Sequence, residues 1–314
     1  MEKLLFEKIK EYQTIIIHRH SRPDLDALGS QLGLAYVLKE AYPDKKIYVV
    51  GDTTKKYNFI GSMDNINDDE YNNALAIICD VAVSAMVSDD RYKLAKEVFV
   101  IDHHRNASDI TENHLCNTSC VACCEYLTNL LLENGYIINS EAATCFYGGL
   151  VTDSGRFMYG EALANTFMTA SRLVEFGANP KYIYDNIYVE TLADSKMKAF
   201  FANRYEIKNG VAYLKNTKEI MDMYPDKEFN DISRGMLSVM SGILEISIWC
   251  NFTYDSNKDA VICEFRSRSI PIVDVAKKYG GGGHLLACGC TIPDFDVAGK
   301  IIDEFISLIN KENA

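Results

Sequence analysis

Residues 14–30 read Thr14-Ile-Ile-Ile-His18-Arg-His20-Ser-Arg-Pro23-Asp24-Leu-Asp26-Ala-Leu-Gly29-Ser30. Thr14–His18 is a short apolar run rich in β-branched residues, and Pro23 closes the extended stretch because it has no N–H to share with a neighbouring strand. From Asp26 to Glu40 the pattern turns helical. Strand, polar loop and helix in that order open a βαβ unit, and ligands of open α/β sheets bind beyond the carboxyl ends of the strands. The loop carries one imidazole and two carboxylates within seven residues: His20, Asp24 and Asp26. One Asp alone would read as a helix cap. Two Asp and a His can converge on a divalent cation, and that is the reading taken here.

Outward from this loop the alternation continues. Lys46–Val50, Ala74–Cys79 and Glu97–Ile101 are apolar runs of strand length, and Ser119–Glu133 and Ser140–Val151 are helical in pattern. Thr166–Phe176 and Lys181–Tyr188 suggest two more helices, broken by Gly177 and Pro180. The pattern predicts an α/β fold with a mostly parallel sheet and helices on both faces. The character changes near Glu190. Thr191–Arg204 is a charged helical stretch, read as a linker. A hairpin signal follows at Asn209-Gly210, a pair that favours a tight primed turn. Ile246–Tyr254 and Ala260–Phe265 read as a strand pair around Ser256-Asn257, Val273–Lys278 as helix, Gly280–Gly283 as a glycine run and Val297–Asn310 as a closing amphipathic helix. The division expected is a first domain over 1–190, a linker helix over 191–204 and a smaller α+β domain over 205–314, with the active site in the cleft between the two domains.

Length and composition agree with two domains. The chain has 314 residues, 48% of them hydrophobic and 24% charged, which is ordinary for a soluble globular protein. No apolar run approaches the ~20 residues of a membrane helix. Met1 to Lys10 is amphipathic and charged, without the apolar stretch and cleavage site of a signal peptide, so the protein is expected in the cytoplasm and away from membranes. The net charge of −12 argues against a partner as long as duplex DNA or RNA. It leaves short nucleotides open, since carboxylates that hold metals inflate the formal negative charge. Of ten cysteines, Cys116, Cys120, Cys123 and Cys124 lie close together. No second CxxC pair accompanies them as a structural zinc site would require, so they read as small residues of the Ser119–Glu133 helix facing a core.

Three further constellations match the first. Asp80 stands at the end of Ala74–Cys79, and Asp102-His103-His104 follows Glu97–Ile101 directly. Adjacent histidines on an extended backbone point to opposite sides, so the two should have different roles. Gly148-Gly149-Leu-Val-Thr-Asp153-Ser-Gly-Arg-Phe157 places an Asp after a helix in a glycine-bearing turn. Read singly, each is a turn or cap residue. Read together, they describe one object, a site for two metal ions at the carboxyl edge of the sheet, where paired ions stabilise both oxygens of a phosphoryl displacement. Asp oxygens with few imidazoles favour Mn²⁺ or Mg²⁺, and the histidines tilt the choice to Mn²⁺. A fifth constellation lies near the C-terminus: Arg266-Ser267-Arg268, then Gly280-Gly-Gly282-Gly283-His284 with Ala287 and Gly289. Glycines admit backbone N–H groups close to a phosphate, and the neighbouring basic groups complete an anion site.

In combination and order these motifs resemble the DHH phosphoesterase superfamily, in the branch with a C-terminal DHHA1 domain, across nearly the whole chain. The His20–Ser30 stretch is similar to the first family motif, Asp80 to the second, Asp102-His103-His104 to the eponymous triplet and Asp153 to the fourth, while Gly281–His284 is similar to the glycine-rich DHHA1 signature. The resemblance implies one metal held by His20, Asp24 and Asp80 and another by Asp26, Asp80, His103 and Asp153, with Asp80 bridging. It implies Mn²⁺, two per site, with Mg²⁺ or Co²⁺ as substitutes, and a metal-held hydroxide attacking phosphorus. His104 would face the substrate phosphate and Asp102 would orient a ligand histidine. Arg266, Ser267, Arg268, Gly282, Gly283 and His284 would hold the rest of the nucleotide. Two positions depart from the family pattern: Leu25 stands where Gly is frequent, crowding the loop, and Leu285-Leu286 follow the signature histidine.

The activity expected is hydrolysis of short RNA or DNA oligonucleotides and of 3′-phosphoadenosine-5′-phosphate, as in the oligoribonuclease and phosphatase group of that family. Hydrolysis of cyclic di-AMP or pApA is the alternative. An inorganic pyrophosphatase would carry a different C-terminal domain, a processive exonuclease of the RecJ type would need additional domains and a basic channel, and a vestigial binding module would lack a ligand. A homodimer is the default oligomer, since most soluble oligomers are twofold.

Overall fold

The computed structural model describes residues 1–105, 107–158 and 163–312. The chain divides into two units, Met1–Val189 and Glu190–Ala314. The first opens with α1 (Glu2–Glu11), then β1 (Thr14–Arg19), α2 (Leu25–Ala41), β2 (Lys46–Val49), β3 (Leu75–Cys79), β4 (Glu97–Asp102) and β5 (His114–Cys116). The five strands form one sheet in the order β2-β1-β3-β4-β5, and every neighbouring pair is parallel. The winding therefore reverses between β1 and β3, the switch point at which open α/β sheets take ligands.

Both faces of the central strands are dry. Ile15 and Ile17 of β1 and Leu75 and Ile77 of β3 join the core under the α-helices, while Ile16, Ala76 and Ile78 between them face the other side. Burial on both faces explains why these strands are continuous apolar runs without alternation. The two covers differ. α1, α2, α3 (Cys123–Glu133), α4 (Ser140–Asp153), α5 (Leu163–Glu175) and α6 (Pro180–Ile187) all contribute to one core. The opposite face is closed by short 3₁₀ turns that bring Tyr71 and Tyr92 onto the sheet.

Several boundaries differ from the sequence reading. The helix expected from Ser119 begins only at Cys123, after an extended Ala122. Cys116 falls on β5, a three-residue edge strand too short to show a pattern, and is exposed; Cys120 is half-buried against the core, and Cys123 and Cys124 are buried in it. All ten cysteines are free. The turn after α4 carries Gly155 at φ 55°, and Gly148 and Gly149 fall within the stretch read as helical. They lie inside α4, where a Cβ on Gly149 would stand 2.4 Å from Cys124 Sγ and 2.7 Å from Asp26 Oδ1. A Cβ on Gly29 would stand 2.5 Å from the Cys145 carbonyl oxygen, so glycines let α2 and α4 cross at close range. Leu25, expected to crowd the loop, turns its side chain toward α4. It is buried at the start of α2, and a Cβ on Gly148 would touch it at 3.1 Å.

The second unit begins with α7 (Leu192–Ala202), which buries Met197 and Phe201 against Ala212 and Leu214 and is thus part of this unit's core, not a free linker. β6 (Glu206–Lys208) and β7 (Val211–Asn216) meet at Asn209-Gly210, whose φ values of 48° and 82° are those of the primed turn expected. Two short helices, α8 (Lys218–Asp222) and α9 (Phe229–Ser233), lead to β8 (Ile248–Asp255) and β9 (Ala260–Ser267). Then come α10 (Val273–Lys278), β10 (Gly282–His284), β11 (Ala287–Ile292) and α11 (Phe295–Glu312). The six-stranded sheet runs β10-β11-β9-β8-β7-β6, antiparallel except for β7 with β8. α11 packs Ile301, Ile302 and Phe305 on one face of it. Among the described residues no helix is long and apolar enough to cross a membrane.

Candidate metal centre

The switch point gathers the acidic and imidazole groups. β1 delivers His20 immediately after its last residue. Asp24 is the N-cap of α2, its Oδ1 accepting the Asp26 and Ala27 N–H groups at 3.0 Å, a contact worth about 1 kcal/mol to a helix. The same oxygen lies 3.7 Å from His20 Nε2, so Asp24 serves as a cap and belongs to the cluster as well. Asp26, in the first turn, is fully buried; its two oxygens accept the Cys123 and Cys124 N–H groups at 2.7 and 2.9 Å. Those are leading N–H groups of α3, a favourable place for a carboxylate. Asp80 leaves β3 in the left-handed conformation at φ 60°, with its N–H on the Ile101 carbonyl at 2.9 Å. Asp153 is the last residue of α4.

Asp80 sits in the middle. Its Oδ2 is 3.5 Å from His20 Nε2 and its Oδ1 is 3.4 Å from His103 Nε2. His103 Nε2 also lies 3.8 Å from Asp26 Oδ2 and 3.5 Å from Asp153 Oδ2. Ligand-type atoms fall into three groups, each within 4.8 Å: His20 with Asp24 and Asp80, Asp26 with His103 and Asp153, and Asp80 with His103 and His104. Asp80 Oδ1 and His103 Nε2 are buried with no hydrogen-bond partner. Buried polar atoms left in that state call for an ion or water between them. Hard carboxylate oxygens with two or three imidazole nitrogens suit a divalent cation such as Mn²⁺. The residues present therefore fit a pair of divalent ions.

Electrostatics agree. Burial draws the His20 imidazole down, but Asp24 and Asp80 outweigh it and lift it to about 10. His103 reaches about 10 in the same way, with Asp80, Asp26 and Asp153 overcoming burial. Burial first, then the charge of Asp80, pushes Asp26 up to about 7, and burial with Asp26, Asp24 and Asp80 pushes Asp153 well up. A cluster in which carboxylates rise and imidazoles hold protons has more negative charge than its own side chains neutralise. A bound cation would supply what is missing.

The adjacent histidines do not alternate, because β4 ends at Asp102 and the two-residue period ends with it. Their rings lie 4.3 Å apart. Their partners still separate them. The carboxylate of Asp102 orients His104, not the ligand candidate His103: Oδ1 accepts from His104 Nδ1 at 2.8 Å, and from the backbone N–H of His103 at 2.8 Å and of His104 at 3.3 Å. The Asp102 contact raises the His104 pKa. His103 Nδ1 instead stands 3.4 Å from the Cys120 carbonyl, a main-chain contact that no sequence motif announces. His20, Asp24, Asp80, Met86, His104 and Asp153 line a cavity of about 240 Å³.

The basic and glycine-rich residues lie in the second unit. His284, Ala287, Arg266 and Trp249 are successive cross-strand partners on β10, β11, β9 and β8, so they share one face in one row. Arg266 Nη1 donates to the Phe265 carbonyl at 2.8 Å and lies 3.4 Å from Glu264, which also takes Arg234 at 3.0 Å. Arg234 escaped the sequence reading because it stands alone in an ordinary stretch. Ser267 is buried, its Oγ accepting the Ile270 N–H at 2.9 Å, and Arg268 donates to the Ile243 carbonyl. The glycine run is no free loop. Gly282 and Gly283 belong to β10, and a Cβ on Gly283 would lie 2.7 Å from the Ala287 oxygen. As an edge strand, β10 has a strand partner on one side only, and His284 is exposed at its end beside Leu285 and Leu286 of the turn.

Comparisons with known proteins bear on the whole chain. Residues 14–150 match the DHH family, N-terminal domain, and residues 211–312 match the DHHA1 domain. A Bacillus subtilis (strain 168) protein named bifunctional oligoribonuclease and PAP phosphatase NrnA is 32% identical, over 98% of this chain and 98% of its own. A Mycoplasma genitalium protein of the same name is 31% identical over 96% of this chain and 95% of its own. Among solved structures, an exopolyphosphatase-related protein from Bacteroides fragilis superposes with a TM-score of 0.82 at 22% identity, covering 98% of this chain and 95% of that one.

Proposed function

Since this chain belongs to the DHH phosphoesterase family, in the branch that carries a DHHA1 domain, we propose that it hydrolyses phosphate esters of short nucleotides, as an oligoribonuclease and 3′-phosphoadenosine-5′-phosphate phosphatase of the cytoplasm that uses two Mn²⁺ ions. The observation that carries the proposal is the placement of Asp80, whose two oxygens face two different imidazoles, each backed by further carboxylates. Names borne by relatives at 31 and 32% identity over nearly full length support the substrate class.

In this reading His20, Asp24 and Asp80 hold one cation, and Asp26, Asp80, His103 and Asp153 hold the other. When bound, the pair supplies an activated water and neutralises charge on the phosphoryl group. The chain's own residues do the rest. Asp26 is fixed against α3 by two N–H groups, so its orientation is set before any ligand arrives. Asp102 accepts from Nδ1 and fixes the His104 ring, so that the protonated form of this half-exposed imidazole has Nε2–H free to donate to a phosphate oxygen. Arg266 and His284, on one row of the second sheet, take the part of the nucleotide that does not react; Ser267 and Arg268 shape the turn beside them.

The test is a Mn²⁺-dependent hydrolysis panel over 3′-phosphoadenosine-5′-phosphate, pApA, cyclic di-AMP, two- to five-nucleotide RNA and pyrophosphate. Turnover of the first substrate and of short RNA is expected. Turnover of pyrophosphate alone, or of cyclic di-AMP alone, would overturn the assignment. His284→Ala should raise KM for nucleotides roughly tenfold, the loss of one charged contact of about 1.4 kcal/mol, with p-nitrophenyl phosphate hydrolysis unchanged within about twofold. Equal losses on both would mean that the second unit does not read the nucleotide.

A further inference from the structure

We propose that Asp52, together with Arg19 and Ser88, is a positioning brace that sets the spacing of His20 and Asp24 and so governs one of the two cation positions while leaving the other untouched. The inference rests on the ligand sets proposed above. Arg19, the last residue of β1, precedes His20 and has no exposed side-chain surface. Its Nη1 donates to the His20 carbonyl and to Asp52 Oδ1, both at 2.9 Å, and its Nη2 donates to the Asp52 carbonyl. The second oxygen of Asp52 accepts the Arg22 N–H at 3.1 Å and holds Arg22 at φ 51°, a left-handed conformation uncommon for a residue with a side chain. Ser88 closes the ring. Its Oγ donates to Asp52 Oδ1 and accepts the Asp52 N–H at 2.8 Å, while its own N–H reaches the Arg19 carbonyl at 2.9 Å.

The loop between His20 and Asp24 is thereby tied at the His20 carbonyl and the Arg22 N–H, and Ser21 N–H adds a third tie to the Met86 carbonyl at 2.7 Å. Only a carboxylate offers enough acceptor sites for a guanidinium, a hydroxyl and a backbone N–H together. The packing leaves no slack. Gly51 has φ 132°, and a Cβ there would meet Ser88 Oγ at 2.9 Å and the Arg19 guanidinium carbon at 3.4 Å. Asp26, His103 and Asp153 depend on other elements: α2 against the start of α3, the end of β4, and the end of α4. A loosened brace should therefore misplace His20 relative to Asp24 and spare the opposite group.

Mn²⁺ binding to the full chain, measured by calorimetry and by electron paramagnetic resonance of free Mn²⁺, tests this. Asp52→Asn keeps one oxygen for Arg19 and Ser88 but turns an amide against the Arg22 N–H. One of two Mn²⁺ sites should weaken by about tenfold or more, the range for loss of a ligand-orienting contact, while the other stays within about twofold and kcat recovers at saturating Mn²⁺. Ser88→Ala, which leaves the Arg19–Asp52 pair intact, should weaken the same site less and serves if Asp52→Asn fails to fold. Equal weakening of both sites, or of neither, overturns the brace while the ligand sets stand. A wild-type chain that takes up no Mn²⁺ overturns the ligand sets and the brace with them.

Discussion

Asp80→Ala is expected to abolish hydrolysis of every substrate, by about 10³-fold or more at any Mn²⁺ concentration. The benchmark is the loss of ~10²–10³ when a single transition-state contact is removed. Asp80 should cost more because it is shared: each of its oxygens faces a different imidazole, at 3.4 and 3.5 Å. Removing any other carboxylate of the cluster strips one group of ligand atoms, whereas removing this one strips both groups to which it belongs. Asp24→Ala is the informative contrast. Asp24 is half-exposed and stands at one edge of the cluster, so its loss should be partly recovered by raising Mn²⁺. Circular dichroism must show the fold intact in both variants. A wild-type-like rate for Asp80→Ala, with Mn²⁺ present, would refute the metal centre.

Much of this centre was legible because its residues sit where local pattern is strongest, at the ends of buried parallel strands. His20, Asp80 and Asp102 each follow a run of apolar residues whose identity as a strand needs no tertiary information, and parallel strands place their carboxyl ends on one edge. What escaped the sequence depends on packing between distant segments. Gly148 and Gly149 fall within a stretch read as helical, but nothing in the sequence says that they are there to let α4 press on α2 and α3. The glycines before His284 gave no sign that two of them would form an edge strand against β11. Which ring Asp102 meets was not legible, because the turn after β4 decides that its carboxylate reaches His104 Nδ1. The brace of Arg19, Asp52 and Ser88 was invisible, since its members are 33 and 36 residues apart in pairs and none repeats or clusters.

Gly149, inside α4, yields the other large effect. Gly149→Ala should destabilise the fold by about 2 kcal/mol and weaken Mn²⁺ binding at the group that contains Asp26. Two forces oppose each other. Alanine in a helix interior is better than glycine by about 1 kcal/mol, whereas forcing atoms into a filled core costs about 1–3 kcal/mol. Here the second wins, because the new Cβ would stand 2.4 Å from Cys124 Sγ, 2.7 Å from Asp26 Oδ1 and 2.8 Å from Asp26 Cα. Backbone cannot swing aside as a side-chain tip can, so relief must come from displacing α2, and Asp26 moves with it. Its carboxylate would leave the Cys123 and Cys124 N–H groups that now hold it. Gly299→Ala supplies the opposite sign: Gly299 lies inside α11 with nothing within 4 Å of the added Cβ, so the same substitution should stabilise by about 0.5–1 kcal/mol. Urea unfolding measures both. A Gly149→Ala chain as stable as Gly299→Ala, with unchanged Mn²⁺ affinity, would show that α2 and α4 have room to spare and that Asp26 is not held by their contact.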